Sequence, residues 1–170
     1  MKRLTTDRLL LRPLTLEDAG ALNRLNADPQ VMRYIGPLQD SVEKTRRYLM
    51  DGPMADYHKY GFGRHAMLHR ASGEFIGFCG LKYLPELDEV DVGYRLLPAY
   101  WGQGLVTEAA LETMRFGRED LGLKRIIGLA MPDNQASIKV LEKLGMHFEK
   151  QLAHLGTECV CYCWECEQAS

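Results

Sequence analysis

The feature that most constrains the fold of this chain is the stretch YWGQGLVTEA at residues 100–109. It joins an extended apolar run, Val90–Leu97, to an amphipathic helix that begins near Gly104. Gly102 and Gly104 allow the backbone to turn tightly and leave its N–H groups uncovered. The first turn of the helix adds N–H groups without an intrahelical partner, together with a partial positive charge. The stretch therefore predicts a pocket for an anion such as a phosphate or pyrophosphate.

A Gly-x-Gly motif alone is weak, because it often marks only a tight connection between two elements. The elements around it favour the anion pocket. Lys124–Met131 is a predicted strand, so strand, helix and strand form a βαβ crossover. The pocket then lies at the carboxyl end of a strand, where open α/β sheets bind ligands. The motif lacks the Lys-Ser/Thr of a P-loop, which disfavours nucleotide hydrolysis.

Composition indicates one globular domain spanning residues 1–170, with 46% hydrophobic residues. A formal net charge of −2 without a Lys/Arg block disfavours nucleic acid as a partner. No apolar run reaches membrane-spanning length, and Leu9–Leu11 is too short for the core of a signal peptide. Five cysteines form an odd set without an export signal, which favours reduced thiols in a cytoplasm.

Hydrophobic periodicity and turn residues divide the chain into about seven strands and about four main helices. The predicted strands are Leu4–Leu14, Phe62–Leu68, Glu74–Tyr83, Val90–Leu97, Lys124–Met131, His147–His154 and Glu158–Cys166. The predicted helices run from a capping box at Thr15–Asp18 to about Asn26, from Ser41 to about Met50, onward from Gly104, and over Asn134–Leu144, with a short helical piece after Asp28-Pro29. Gly52-Pro53 is expected to stop the second of the main helices.

The last predicted helix carries two polar side chains, Asn134 and Ser137, on the face that also bears Ile138 and Leu141. Buried polar groups need partners, so these two cap the backbone, bond each other or meet a ligand. For Asn134 the strong alternative to a ligand is a helix N-cap, because Asn is a preferred residue there. Ser137 lies a full turn inside the helix, where that alternative is weaker.

Seven motifs in sequence order resemble the Gcn5-related N-acetyltransferase (GNAT) superfamily, and within it the ribosomal-protein N-terminal acetyltransferase-like branch. They are TTDRLLLRP at 5–13, DPQVM at 28–32, IGFCG at 76–80, DVGY at 91–94, PAYWGQG at 98–104, NQAS at 134–137 and LEKLGM at 141–146. The resemblance covers nearly the whole chain. It implies a single-domain α/β (α+β) fold, whose mixed, mostly antiparallel sheet is splayed between its fourth and fifth strands.

The resemblance also implies acetyl-CoA as the acyl donor, wedged in the splayed gap, and no metal. The backbone near Tyr94, Arg95 and Leu96 is expected to pair with the pantetheine. Asn134 and Ser137 are expected to approach the pantetheine and the thioester. The residues expected to hold the pyrophosphate are Trp101, Gly102, Gln103, Gly104, Leu105, Val106 and Thr107.

Two positions depart from the pattern of many superfamily members. Val106 places a β-branched side chain in the first helical turn, where Gly or Ala is common and backbone must approach phosphate. Leu141 occupies the position of a frequent tyrosine acid, so that role passes to Ser137 or is absent. These departures motivate an alternative function, a CoA-sensing or interaction domain with weak or no turnover.

Acetyl transfer to an amine needs a neutral amine, a polarised carbonyl and a stabilised leaving thiolate. Asp91 is the predicted base, directly or through water, and Glu89 on the same strand face is the second choice. The alternative for both is a solvated carboxylate without a role. Ser137 is expected to donate a hydrogen bond to the thiolate, as an acid or as a positioning group. The predicted catalytic residues are therefore Ser137, Asp91 and Asn134.

Two patterns imitate metal sites. Cys159, Cys161 and Cys163 alternate along one strand face about 6.5–7 Å apart, which is awkward for tetrahedral ligation. Together with Cys166 they are interpreted as small apolar side chains. His65 and His69 lie in a predicted strand, where residues i and i+4 are about 13 Å apart, so they are not a ligand pair.

These observations predict a cytoplasmic, acetyl-CoA-dependent N-acetyltransferase that transfers acetyl directly to a primary amine. The acceptor is a protein N-terminus or a small-molecule amine. The chain is expected to be a monomer or a homodimer, without nucleic-acid or membrane partners.

Overall fold

A computed structural model describes residues 1–167, which form one eight-stranded mixed sheet flanked by helices. The strands are β1 (Leu4–Thr5), β2 (Leu9–Pro13), β3 (Arg64–His69), β4 (Phe75–Leu84), β5 (Glu89–Leu96), β6 (Arg125–Ala130), β7 (His147–His154) and β8 (Thr157–Glu165). The α-helices are α1 (Ala19–Asn26), α2 (Pro29–Met32), α3 (Val42–Leu49), α4 (Ala55–Tyr60), α5 (Leu105–Arg115) and α6 (Gln135–Lys143). The α/β fold expected from the sequence is confirmed. Among the described residues, no helix is both long and apolar enough to cross a membrane.

The strand order is β1-β2-β3-β4-β5-β6-β8-β7, and every neighbouring pair except β5 and β6 is antiparallel. β4 and β5 pair along their whole shared length, from Leu84↔Glu89 to Gly77↔Leu96. The parallel strands β5 and β6 pair at one position only, Asp91↔Ile127. Beyond that position they diverge, which produces the splayed gap that was predicted between these strands.

The first predicted strand, Leu4–Leu14, is divided into two antiparallel strands, β1 and β2. A tight turn separates them, in which Thr6 N donates to Leu9 O at 2.9 Å and Leu9 N donates to Thr6 Oγ1 at 3.0 Å. The prediction of one continuous strand was wrong because the Thr6 hydroxyl offers the backbone a local partner in place of a ladder bond.

Gly52-Pro53 does not end the helix that begins after Ser41. The helical path continues from α3 through a π-helical turn, Met50–Met54, into α4. A π turn is wider than an α turn, and it accommodates the Pro53 ring and its missing N–H without breaking the path. The helix ends instead at Gly61, where φ is 80° and the N–H donates to Tyr57 O at 3.0 Å.

The two faces of the sheet carry separate cores. On the α5–α6 face, helices α5 and α6 cover a core that includes Val92 and Leu96 of β5. On the opposite, α1–α4 face, a second core includes Phe78 of β4. Phe78 lies opposite Arg95 in the antiparallel register, so Arg95 belongs to the α1–α4 face. By alternation, residues 91 and 93 share that face, whereas Tyr94 faces α5 and α6.

Candidate active site

The loop between β5 and α5 has the geometry of an anion cradle. Gly102 and Gly104 both have a φ of 76°, in the left-handed region that favours glycine. Within residues 1–167, the N–H groups of residues 102–104 donate to no backbone carbonyl, and nothing lies within 4 Å of the place that a Cβ would take at Gly102. Glu108 N donates to Gly104 O at 3.0 Å, so the N–H groups of residues 105–107 have no helical partner. These donors are available to a diphosphate.

The side chains of the cradle point in different directions from its backbone. Leu105 is buried and Val106 packs against the core of the α5–α6 face, so the β-branched Val106 side chain is turned away from the loop. Gln103 is exposed and Thr107 is half-buried. The approach of a phosphate to this backbone is therefore not obstructed by the departure at Val106.

Arg8 braces the cradle from the turn between β1 and β2. Its Nη1 donates to Gln103 O at 2.9 Å, and its Nε donates to Glu108 Oε1 at 2.9 Å. Glu108 also accepts a hydrogen bond from Thr6 Oγ1 at 2.6 Å. The carboxylate in the first turn of α5 is thus paired with a cation, which limits its repulsion of an anion at the helix N-terminus.

The splayed gap exposes part of the β5 backbone. Leu97 N donates to Ile76 O of β4 at 2.8 Å, which fixes the alternation of backbone groups along β5. Tyr94 and Leu96 consequently direct their N–H and C=O groups into the gap, whereas the backbone of Arg95 is directed toward β4. Two of the three residues predicted to pair with pantetheine therefore face the gap: Tyr94 with its N–H and C=O, and Leu96 with its N–H, since the Leu96 carbonyl accepts from Trp101.

Trp101 lies at the open end of this edge. Its Nε1 donates to Leu96 O at 2.7 Å, and the residue is 46% exposed. The indole thereby ties the cradle to the last residue of β5, so the loop and the gap edge form one continuous surface.

Across the gap, the first turn of α6 presents Asn134 and Ser137. Asn134 is the N-cap of α6, because its Oδ1 accepts from Ser137 N at 3.2 Å, so the alternative given for this residue in place of a ligand contact is observed. The hydroxyl of Tyr94 lies 3.0 Å from both Ser137 O and Ser137 Oγ. Burial raises the pKa of Tyr94, so the hydroxyl remains a neutral phenol. The side chain of Tyr94 thus bridges β5 and α6.

Leu141 occupies the core. It is 1% exposed, and its side chain fills the space above Gly128 of β6 where a Cβ would otherwise lie. The position at which many superfamily members carry a tyrosine acid is therefore a packing position here. The nearest phenol to Ser137 comes instead from the opposite side of the gap, from Tyr94.

Asp91 is buried at the root of the gap, at the one position where β5 and β6 pair. It is 8% exposed and lies 3.0 Å from Arg64 Nη2 through its Oδ1. The alternative of a solvated carboxylate is thus wrong for Asp91. Burial raises its pKa, and the charge and hydrogen bond of Arg64 oppose that rise. Arg64 reaches this position over Gly93, where its guanidinium takes up the space of a side chain.

Glu89, the second predicted base, is also ion-paired. Its Oε1 accepts from Arg125 Nε at 2.9 Å, and the same guanidinium binds Glu149 at 2.6 Å and Glu165 at 2.7 Å. A small cavity of about 50 Å³ lies beside this cluster and is lined in part by Ile127. Glu89 is therefore a member of a charge network rather than a free carboxylate.

Comparison with known proteins decides the family. Residues 8–147 match the family model described as the acetyltransferase (GNAT) domain. The chain belongs to the GNAT acetyltransferases. YkkB of Bacillus subtilis, described as an uncharacterized protein, is 31% identical to this GNAT chain over 153 residues, which cover 88% of each sequence.

Solved structures agree with this assignment. An acetyltransferase from Agrobacterium tumefaciens matches the GNAT chain with a TM-score of 0.85 and 26% identity, covering 97% of this chain and 95% of that one. RimL, a ribosomal L7/L12 α-N-protein acetyltransferase solved in complex with coenzyme A, matches with a TM-score of 0.81 and 18% identity, covering 97% and 98%. The predicted resemblance to the GNAT superfamily is confirmed, and the chain shares its fold with a ribosomal-protein acetyltransferase.

As a GNAT protein, the chain is an acetyl-CoA-dependent N-acetyltransferase that acts on an amine, as predicted. Acetyl-CoA is its acyl-donor substrate. The free donors of the cradle and of the gap edge suit the diphosphate and the amides of that molecule.

The cysteines and histidines whose spacing imitates metal sites differ in their exposure and their place in the fold. Cys159 and Cys161 are buried, Cys163 is half-buried and Cys166 is exposed, and burial raises the pKa of Cys161 to about 11. In the described part of the chain, no group of three or more His, Cys, Asp or Glu side chains is arranged to hold a metal ion. His65 and His69 lie on β3, as predicted.

Sequence reasoning missed the side-chain roles of Arg8, Arg64 and Tyr94. For Arg64 a signal was present, because Gly80 and Gly93 are interior glycines of neighbouring strands and mark a place where another group approaches the backbone closely. They lie opposite each other in the register, and Arg64 Nη1 donates to Gly80 O at 2.6 Å.

Proposed function

We propose that this GNAT enzyme transfers acetyl directly from acetyl-CoA to a primary amine, without an acyl-enzyme. The acceptor is a protein N-terminus or a small-molecule amine. The enzyme acts in the cytoplasm as a monomer or homodimer, without nucleic-acid or membrane partners. The observation that carries the proposal is the Tyr94–Ser137 contact across the gap, between the root at Asp91 and the Leu96 end that Trp101 ties to the anion cradle.

In this proposal, the cradle holds the pyrophosphate through the backbone from Trp101 to Thr107. The gap-facing amides of Tyr94 and Leu96 pair with the pantetheine as a further strand would. The backbone of Arg95 is directed toward β4, so Arg95 takes no part in this pairing. The thioester then lies near the first turn of α6.

Ser137 is the proposed hydrogen-bond donor to the leaving thiolate. The Tyr94 hydroxyl donates its one proton to Ser137 O and lies 3.0 Å from Ser137 Oγ, so it holds Ser137 at the gap while the Ser137 hydroxyl turns its proton to the sulfur. Asn134 holds Ser137 in place through the helix cap. A thiol is acidic enough to leave with only a hydrogen bond, since its pKa is about 8.5. A strong acid is therefore not required, and positioning of the two reactants supplies much of the rate.

Asp91 is the proposed base. An alkyl amine is mostly protonated at neutral pH and must lose a proton before attack. A carboxylate whose pKa is raised by burial is a better proton acceptor near neutral pH than a solvated one. Because Asp91 is 8% exposed, it receives the proton through water. Both carboxylates are ion-paired, and Glu89 is the second choice because it is less buried than Asp91 and belongs to the Arg125 network with Glu149 and Glu165.

Thiol release from acetyl-CoA in the presence of a broad panel of amines and N-terminal peptides tests this proposal. Ser137→Ala is expected to lower kcat by about tenfold or more while leaving coenzyme A affinity nearly unchanged. Gln135→Ala, on the exposed side of the same helix, is the matched control. Unchanged turnover in Ser137→Ala would remove Ser137 from the mechanism. Coenzyme A binding without thiol release across the panel would contradict direct transfer.

A further inference from the structure

Cationic side chains on the α1–α4 face of strands β2–β5 are paired one-to-one with carboxylates, with one exception. The pairs are Arg12 with Asp18 at 2.8 Å, Arg64 with Asp91 at 3.0 Å and Lys82 with Asp56 at 2.8 Å. Arg95 lies on the same face and forms no salt bridge within residues 1–167. The face therefore carries one positive charge without a counterion.

The surroundings of Arg95 are poor in negative charge. Its Nη1 donates to Asn26 Oδ1 at 2.8 Å, and its guanidinium lies over the Phe78 ring, 5.1 Å from the centroid. Burial lowers the pKa of Arg95, the Tyr48 phenol opposes this fall, and the charge of Arg64 adds to it. A guanidinium stays protonated under these conditions, so the cost of removing it from water is only partly offset by one amide and one ring.

Arg95 lies on the part of β5 that borders the splayed gap, beyond Asp91 and where β6 has diverged. Same-face neighbours along a strand are about 7 Å apart, so Arg95 is about one such step from residue 93 and two from the proposed base. Its side chain is on the face opposite α5, and hence opposite the helix whose N-terminus forms the anion cradle.

We propose that Arg95 binds a carboxylate of the acceptor, so that the preferred acceptor is an amine that also carries an anionic group. This inference rests on the proposed function. The planar guanidinium offers a bidentate fit to a carboxylate, and its remaining N–H groups have no protein acceptor among the described residues. The carboxylate belongs either to an amino acid-like small molecule or to an acidic residue near a peptide N-terminus.

Matched acceptor pairs separate these sources. Each pair consists of an acidic acceptor and its amide counterpart. The first pair type is an amino acid and its carboxamide. The second is a short peptide with Asp at its second residue and the same peptide with Asn there. For the wild-type enzyme, kcat/KM is expected to be at least about tenfold higher for the acidic member of one pair type, as a charge-assisted hydrogen bond predicts. Equal kcat/KM for both members of every pair would overturn the inference while leaving the acetyltransferase chemistry intact.

Arg95→Gln is the diagnostic variant, because Gln can still donate to Asn26. The acid-to-amide ratio of kcat/KM is expected to fall to within about twofold. Arg95→Lys keeps the charge without the bidentate fork and should give an intermediate ratio. Arg24→Gln removes an exposed cation of α1 and is the matched control, with the wild-type ratio expected.

Three results would contradict the inference in different ways. A ratio retained in Arg95→Gln would show that another group recognises the carboxylate. A rise in the KM for acetyl-CoA, with the acceptor ratio unchanged, would assign Arg95 to the cofactor phosphates. Absence of thiol release with every amine would instead overturn the proposed function, and this inference with it. Thermal unfolding of each variant identifies any that fail to fold.

Discussion

The Tyr94 hydroxyl lies within hydrogen-bond distance of two oxygens of Ser137, and its removal tests whether it positions that residue. Tyr94→Phe is expected to lower kcat by about tenfold, because Ser137 loses the hydroxyl that binds its carbonyl and holds its Oγ in place. The KM for acetyl-CoA should stay within about twofold. The measurement is a double-mutant cycle with Ser137→Ala, in which the two losses should not add. Acetyl-seleno-CoA, whose selenolate leaves more easily, should reduce the deficit of Tyr94→Phe.

Tyr83→Phe is the control for this cycle, since it removes a hydroxyl that binds Asp88 at 2.6 Å outside the gap. A purely structural role for Tyr94 would give a lower melting temperature and additive losses, with no difference between the thioester and the selenoester.

We expect coenzyme A binding to depend on the N-terminus of α5. Gly104→Asp adds a carboxylate where a diphosphate is expected, and it should weaken coenzyme A binding by about a hundredfold or more through charge repulsion and steric overlap. Asp tolerates a positive φ better than most residues, so the backbone should remain close to its native path. Isothermal titration calorimetry with coenzyme A measures the effect.

Gly122→Asp provides the control, because Gly122 has a φ of 67° and lies beyond the other end of the same helical segment. It should leave the affinity unchanged. Retained affinity in Gly104→Asp would place the diphosphate elsewhere.

The stability of the folded chain as a whole is expected to depend on His65. His65 is 1% exposed, its Nε2 donates to Lys2 O at 2.9 Å, and its Nδ1 has no hydrogen-bond partner in the described part of the chain. Burial lowers the pKa of His65 below its ordinary value of 6.5. The unfolded chain therefore binds a proton that the folded chain does not, and the free energy of unfolding should fall as pH drops below about 6.5. His65→Gln should cost about 1–3 kcal/mol at pH 8 and flatten this dependence.

Urea unfolding of the wild type and of His65→Gln between pH 5 and pH 8 measures this difference. Parallel curves for the two proteins would mean that other groups produce the acid sensitivity. The His154–Glu86 contact at 2.8 Å is common to both proteins and cancels in the comparison.

The local sequence pattern was sufficient to predict a structural feature wherever the interacting residues are near each other in the sequence. The cradle of Gly102 and Gly104, the N-cap at Asn134 and the amphipathic faces of α5 and α6 were all predicted for this reason. The predicted helix end at Gly52-Pro53 was wrong because the helix continues past the proline through a π turn. Hydrophobic periodicity does not predict such a turn. The prediction of a single strand over Leu4–Leu14 was wrong because the Thr6 hydroxyl competes with the sheet ladder for the backbone.

By itself, then, the sequence determined the order of elements and the glycine loop before α5, since backbone conformation and periodicity depend on neighbours along the chain. The class of chemistry followed from the resemblance of its seven motifs to the GNAT superfamily. Only the tertiary structure decided that Asp91 is paired with Arg64, that Tyr94 reaches Ser137 and that Arg95 has no carboxylate partner within residues 1–167. The charge balance and proton position of a buried group depend on which distant residues the sheet register brings within about 3 Å of it. No local pattern encodes that distance.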